Sequence, residues 1–193
     1  MDKNQLRMQI KRAMLDMDDQ KRAQLSKKAC QNLINTDDFK KAAVIMVYLS
    51  LPHEVDTTFI ILQAWQQNKT VAVPKVSWQQ RHMIPVEINS LESGLSVERH
   101  GLRNPSTGLP MPLEDIDLVV TPALAFDRHG HRLGRGGSYF DRFFQSPRLK
   151  AKKCGLAFSG QLLDEVPQDE HDVPVDCIVT DEGVIDCSSL TEE

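Results

Sequence analysis

Along the first part of the chain, apolar residues fall at helical spacing. Leu6, Ile10, Ala13, Met14 and Met17 share one face, and Leu25, Ala29, Leu33 and Ile34 form a second stripe. This predicts two helices within residues 2–35, broken near "DMDD". The rhythm then changes. "AVIMVYLS" (43–50) is a short run rich in Val and Ile, the pattern of a strand covered on both faces. "DTTFIILQAWQQNK" (56–69) returns to helical spacing behind residue types that favour helix starts, and "TVAVPKV" (70–76) is again a strand. Strand, helix and strand in that order make a βαβ unit.

Further on, "HMIPVEI" (82–88) alternates as a strand does, whereas residues 89–115 are rich in Gly, Pro and Ser without a helical period. That stretch reads as a long surface excursion near a site. "IDLVVTP" (116–122) is another buried strand, ended by Pro122, and "DRHG" (127–130) suits a type I turn. A helix starts in "SYFDRFF" (138–144), and "KCGLAFS" (153–159), "DCIVTD" (176–181) and "GVIDC" (183–187) read as strands. The alternation predicts an α/β protein: a single domain over residues 1–193 with a mostly parallel sheet flanked by helices.

Composition narrows the function. A net charge of −4 argues against a nucleic-acid or anionic-membrane partner held by bulk charge, so any bound anion must be held locally. The longest apolar run, residues 42–49, is too short to span a bilayer, and the N-terminus lacks the apolar core of a secretory signal. Cys30, Cys154, Cys177 and Cys187 lie far apart without C-x-x-C or zinc-finger spacing, and read as reduced thiols of a cytoplasmic protein.

Local anion chemistry is concentrated in "HRLGRGGSYFDRFF" (131–144). Gly134, Gly136 and Gly137 fall within four positions, with Arg132 and Arg135 among them, between a predicted strand and a predicted helix. Clustered glycines carry an entropic cost on folding, which a loop that brings its amides close to an anion would justify. No G-K-[ST] ends the loop, and Tyr139 stands where a dinucleotide fingerprint has its last glycine. Ser138 and Asp141 form S-x-x-D before an apolar helix, a capping box; Asp141 equally suits a magnesium ion. On the N-terminal helix, Lys3 and Arg7 are four apart beside the apolar stripe, where cations need an anionic partner, and a polyphosphate shared with the glycine loop supplies one. Glu54 follows a strand end, where its default role is a solvated loop acid. His129 and His131 read as water-facing. The acidic run from Asp164 to Asp172 reads as a solvated loop from which one carboxylate can approach magnesium.

These segments resemble the 5-formyltetrahydrofolate cyclo-ligase family, also called methenyltetrahydrofolate synthetases. "KNQLR" (3–7), "YLSLPHEVDT" (48–57), "TPALAFDRHGHRLGRGGSYFDR" (121–142) and "DEHDVPVD" (169–176) are similar, in order, to that family's motifs, and the third is the specific one. The resemblance implies a NagB/RpiA/CoA-transferase-like α/β fold and a monomeric enzyme. It would use ATP and Mg²⁺ to close 5-formyltetrahydrofolate, with or without a polyglutamate tail, into 5,10-methenyltetrahydrofolate. The γ-phosphate would activate the formyl oxygen as a leaving group, and N10 would close the ring. Lys3, Arg7, Arg132 and the loop from Gly134 to Tyr139 would hold ATP. Leu49, Glu54 and Arg135 to Tyr139 would border the folate, with Arg135 and Tyr139 at the reacting centre and Asp141 and Asp172 at the metal. Ser138 and Phe140 depart from the family's usual glycine and tyrosine, the sole support for a non-catalytic folate- or nucleotide-binding relative.

Overall fold

The computed structural model describes residues 2–188. Helix α1 (Lys3–Leu15) starts behind Asp2, whose carboxylate accepts the amides of Asn4 and Gln5. Helix α2 (Asp19–Ile34) starts behind Asp18, which accepts from Lys21 N at 2.9 Å. "DMDD" breaks the helix because its aspartates serve as caps. A short α3 (Asp37–Lys41) follows, capped by Thr36. Apolar spacing does not reveal it, since Phe39 is its one buried residue.

Strand β1 (Val44–Val47), helix α4 (Thr58–Gln66) and strand β2 (Thr70–Ser77) form the predicted βαβ unit, with β1 and β2 parallel. Strand β3 (His82–Glu87) turns back antiparallel beside β2. The stretch read as an irregular excursion contains a hairpin, β4 (Leu95–Val97) and β5 (Arg103–Pro105). Strand β6 (Leu118–Thr121) re-enters the main sheet. Two short strands, β7 (Ala125–Asp127) and β8 (Arg132–Leu133), then lead into helix α5 (Tyr139–Phe144). The described residues end with β9 (Lys152–Leu156), β10 (Leu162–Leu163), β11 (Cys177–Thr180) and β12 (Gly183–Asp186).

Among the described residues the main sheet has seven strands in the order β12-β11-β9-β6-β1-β2-β3, and only its two edge strands run antiparallel to their neighbours. Strand periodicity divides its side chains between two cores. Ile45, Val47, Leu118 and Val120 face α2, α3 and α4, while Met46, Val119 and Ile178 face the α5 side. A three-stranded sheet, β10-β7-β8, forms a platform for α1, where Ile10 and Met14 pack on Leu124, Ala125 and Leu133. This small sheet is absent from the predicted elements because its strands are two or three residues long. All four cysteines are buried thiols.

From β1 the chain moves toward one sheet edge through β2 and β3, and from β6 toward the other through β9, β11 and β12. The carboxyl ends of β1 and β6 therefore flank a topological switch point, where open α/β sheets leave a crevice.

The start of α5 corrects the capping-box expectation. Ser138 adopts φ 51°, ψ 28°, in the left-handed region, and its side chain makes no cap hydrogen bond. A capping serine needs extended backbone to aim its hydroxyl at the helix amides, and this conformation turns it away. Asp141 does not reach back either; it pairs with Arg132. Because a side chain in this region costs roughly 1 kcal/mol, Ser138→Gly is expected to stabilise the free protein by about that amount. Thermal melting should then rise by about 2–4 °C; an unchanged or lower midpoint would show that the serine conformation carries no strain.

Candidate active site

A cavity of about 630 Å³ opens at the switch point, within the size range of cofactor pockets. Tyr48, Leu49 and Glu54, beyond β1, line one wall, and Pro122 and Ala123, beyond β6, line another. Arg132, Gly134, Arg135, Gly137, Ser138, Tyr139 and Asp141 also contribute to the lining. Lys3, Arg7, Gly136 and Asp172 lie outside it. The glycine loop thus has one face on the cavity and another toward α1.

On the α1 side, Arg7 Nε donates to Gly134 O at 2.9 Å, and its Nη1 donates to Asn4 Oδ1 at 2.7 Å. Gly136 has φ +100°, and a Cβ there would stand 3.8 Å from the Arg7 guanidinium carbon. The loop backbone and the guanidinium are therefore in close register. Lys3 was expected to meet a polyphosphate; in the free protein it meets the acidic run instead, with Nζ 2.6 Å from Asp169 Oδ2 and 2.5 Å from Asp172 Oδ2. Burial opposes the charge on Lys3, but the two carboxylates prevail and raise its pKa. Burial likewise pushes the Asp172 carboxyl up, and Lys3 with the Asp169 amide outweighs it, so the net shift is downward.

Arg132 is buried and pairs with Asp141. Its guanidinium carbon also lies 5.5 Å from the Phe144 ring centre and 6.0 Å from that of Phe140. Asp141 Oδ1 accepts from Arg132 and from Val173 N, while its Oδ2 has no hydrogen bond among the described residues. Asp172 uses Oδ2 for Lys3 and the Asp169 amide, and its Oδ1 is likewise without one. Each proposed magnesium carboxylate thus keeps one oxygen available. That suits a cation that takes one or two protein carboxylates and completes its shell with phosphate and water.

Glu54 departs from the default reading of a solvated acid. It is 7% exposed, and both of its oxygens are engaged: Oε1 by Arg135 Nη2 at 2.6 Å, Oε2 by Leu51 N at 2.7 Å. Each carboxylate oxygen accepts two hydrogen bonds, so lone pairs remain on both. Arg135 Nη2 also lies 3.1 Å from His53 Nε2. Desolvation, then the nearby guanidinium, lowers the His53 pKa, leaving a neutral ring at physiological pH.

Tyr139 stands edge-on to Trp78, ring centres 5.9 Å apart, with Arg142 over its own ring at 5.2 Å. A Cβ on Gly137 would meet the Tyr139 ring at 2.6 Å, so glycine is required there for the tyrosine to fold back over the loop. Sequence reasoning missed Trp78 and His53 as cavity residues. Trp78 comes from the end of β2, and nothing in its spacing marks it. His131 donates or accepts at Nδ1 with the buried Asp127 at 3.0 Å, within the turn rather than in the cavity.

Comparison with known proteins agrees with this geometry. A model of the 5-formyltetrahydrofolate cyclo-ligase family matches residues 1–181. The chain is 29% identical over 191 residues to the mouse 5-formyltetrahydrofolate cyclo-ligase, covering 94% of each. It is 29% identical to the Escherichia coli K12 protein of that name, over 81% of this chain and 88% of the other. Among solved structures, the 5,10-methenyltetrahydrofolate synthetase of Aquifex aeolicus superposes with a TM-score of 0.84 at 32% identity, covering 97% of this chain and 93% of that one. The Mycoplasma pneumoniae synthetase gives 0.76 at 25% identity, over 94% and 99%. With its motifs in order along one chain and its site at the switch point, this protein belongs to the 5-formyltetrahydrofolate cyclo-ligase family.

Proposed function

We propose that this chain is a working cyclo-ligase: it converts 5-formyltetrahydrofolate into 5,10-methenyltetrahydrofolate at the expense of ATP, with magnesium. The observation that carries this reading is the two-faced glycine loop. One face meets Arg7, on the helix that carries Lys3; the other lines an aromatic-walled cavity holding Glu54 and Arg135. A nucleotide and a pterin can therefore approach the same six-residue segment from opposite sides.

The chemistry asks mainly for positioning. A formyl oxygen leaves poorly until it carries the γ-phosphate, and N10 can then close the ring with departure of inorganic phosphate. Such phosphoryl transfer depends on alignment and charge neutralisation rather than on a protein nucleophile. In this scheme the loop amides, Arg7 and Lys3 hold the phosphates. Arg132 keeps Asp141 in place, and Arg135 and Tyr139 stand where the two substrates meet. Asp141 and Asp172 would hold the magnesium, whose chemistry is to neutralise phosphate charge. Leu49 and Glu54 border the pterin. A pterin edge presents a ring N–H and a 2-amino group side by side, matching the two oxygens of one carboxylate. The departures at Ser138 and Phe140 fit this reading: Ser138 adopts the positive φ that glycine favours, and Phe140 retains contact with Arg132. We further propose that residues 1–193 act as one domain, in a cytoplasmic monomer. No helix among the described residues is long and apolar enough to cross a membrane.

Three outcomes test the reading. Incubated with 5-formyltetrahydrofolate, the protein is expected to generate the methenyl chromophore only when ATP and magnesium are both present. Folded, ATP-binding protein that yields no product would identify a non-catalytic relative instead.

Arg7→Ala should weaken ATP binding by about 1.5–3 kcal/mol, the scale of hydrogen bonds to charged groups. Folate affinity measured without nucleotide should stay as it is; undiminished ATP affinity would remove α1 from the nucleotide site.

Glu54→Gln should weaken folate binding by about 2–4 kcal/mol, because one acceptor becomes a donor facing a donor. Since Glu54 is buried against Arg135, the same change should also lower the stability of the free protein, by about 1 kcal/mol. Calorimetry showing unchanged folate affinity despite that stability loss would place the pterin elsewhere.

A further inference from the structure

His53 sits in a tight turn beyond β1. Glu54 N donates to Leu51 O at 3.0 Å, and Leu51 N donates in return to Glu54 Oε2 at 2.7 Å. The turn therefore presents a half-buried imidazole and a buried carboxylate side by side on the cavity wall. Both meet one atom. Arg135 Nη2 lies 2.6 Å from Glu54 Oε1 and 3.1 Å from His53 Nε2. That nitrogen carries two hydrogens, one for each partner.

This contact specifies the state of the ring. A guanidinium donates hydrogen bonds and accepts none, so His53 Nε2 must be the bare nitrogen of a neutral imidazole, with the ring proton on Nδ1. A protonated ring would set N–H against N–H and cation against cation. The surroundings agree with the neutral form. Burial disfavours the charged ring first, and Arg135 follows. Lys11 of α1 and Arg22 of α2 act in the same direction, and Glu54 is the acid that opposes them. Protonation would reverse each role: the cationic ring would repel Arg135 and become a donor beside Glu54.

We propose that His53 is a positioning residue for the folate pocket and sets an acid limit to substrate binding. As a neutral ring it holds Arg135 in place and leaves the remaining lone pairs of Glu54 to the pterin edge. As a cation it turns Arg135 away and takes those lone pairs itself. The proposal rests on the folate reading above, in which Glu54 borders the pterin. Linkage gives the sign of the effect. The ring's pKa lies below the ordinary imidazole value of 6.5, so the neutral form prevails above that pH and is lost as pH falls through the ring's own pKa. Folate binds the neutral form, so its affinity is full in the upper range and declines in the lower one. Reciprocally, bound folate must lower the pKa of the ring further.

Calorimetry on the full chain with 5-formyltetrahydrofolate, without nucleotide, tests this between about pH 5.5 and about pH 8. In that interval the substrate's carboxylates stay ionised and its formylated N5 is an amide, so a change in affinity belongs to the protein. Wild-type affinity should be level in the upper range and fall below about pH 6.5, with a slope approaching tenfold per pH unit, the limit for one linked proton. His53→Gln keeps an acceptor but takes up no proton, and in that variant the fall should disappear. NMR titration of the His53 Cε1–H should give a pKa that moves down when folate is added. This second readout needs only the wild type, so it decides the matter if the variant folds poorly. A level wild-type affinity, a fall that persists in His53→Gln, or a His53 pKa that folate leaves in place would overturn the proposal while the folate reading stands. A fall abolished by His100→Gln instead would assign the titration to another imidazole of the lining and equally overturn it. If the wild type binds 5-formyltetrahydrofolate at no pH, the folate reading itself fails.

Discussion

The site depends on one buried ion pair. Arg132 at the end of the small sheet and Asp141 in the first turns of α5 close the glycine loop from both sides. Burial lowers the Arg132 pKa, with Asp141 and then Asp172 opposing that shift, and aromatic faces supply the remaining surroundings. Breaking such a pair by removing one partner leaves an uncompensated buried charge, at a cost of about 3–5 kcal/mol. With its ends fixed in this way, the loop can keep Gly136 and Ser138 at positive φ without unravelling. The pair also extends outward. Asp141 accepts from Val173 N, the neighbouring Asp172 pairs with Lys3, and Arg7, one helical turn further along α1, binds the loop carbonyl at Gly134. The anchor, the acidic segment, the basic helix and the loop form one closed circuit.

The parallel sheet and its βαβ unit were legible because buried strands such as "VIMV" and "LVVT" have an unambiguous composition, and α1 and α2 because their stripes are long. Elements shorter than their own period were not legible. β7, β8 and β10 hold too few residues to show alternation, and the hairpin within residues 89–115 lies among glycines and prolines. That the glycine loop would border the candidate site could be read from the sequence, yet its pairing could not. Helix-start patterns do not tell that Asp141 will turn to Arg132 instead of to the helix amides, since the competing cation sits on β8, beyond the glycine loop. Glu54 failed in the same way: a loop acid by sequence, it is buried because Arg135, 81 positions away, stands beside it.

Pairing also explains how a chain of net charge −4 can build the proposed anion site. The acids are not spread evenly against the cations. Lys3, Arg132 and Arg135 each hold a carboxylate and are fixed in position by it, whereas Arg7 binds only neutral oxygens. A cation bound to neutral groups keeps its full charge for a ligand, while one paired with an acid must first be released.

That distinction bears on how the two faces of the loop communicate. In the proposed reaction, a pterin donating to Glu54 shares the carboxylate with Arg135 through the lone pairs left on its oxygens and so weakens the ion pair, in which Arg135 is 38% exposed. An anion that takes up Arg135 in turn leaves Glu54 to the pterin. Either ligand alone weakens the ion pair without replacing both halves, whereas the two together give each half a new partner. The coupling is reciprocal, as linkage requires, and its size is bounded by the strength of a partly solvated Arg–Glu contact. The same contact that holds Glu54 in place in the free protein thus favours joint occupancy, the condition under which phosphate and formyl oxygen can meet.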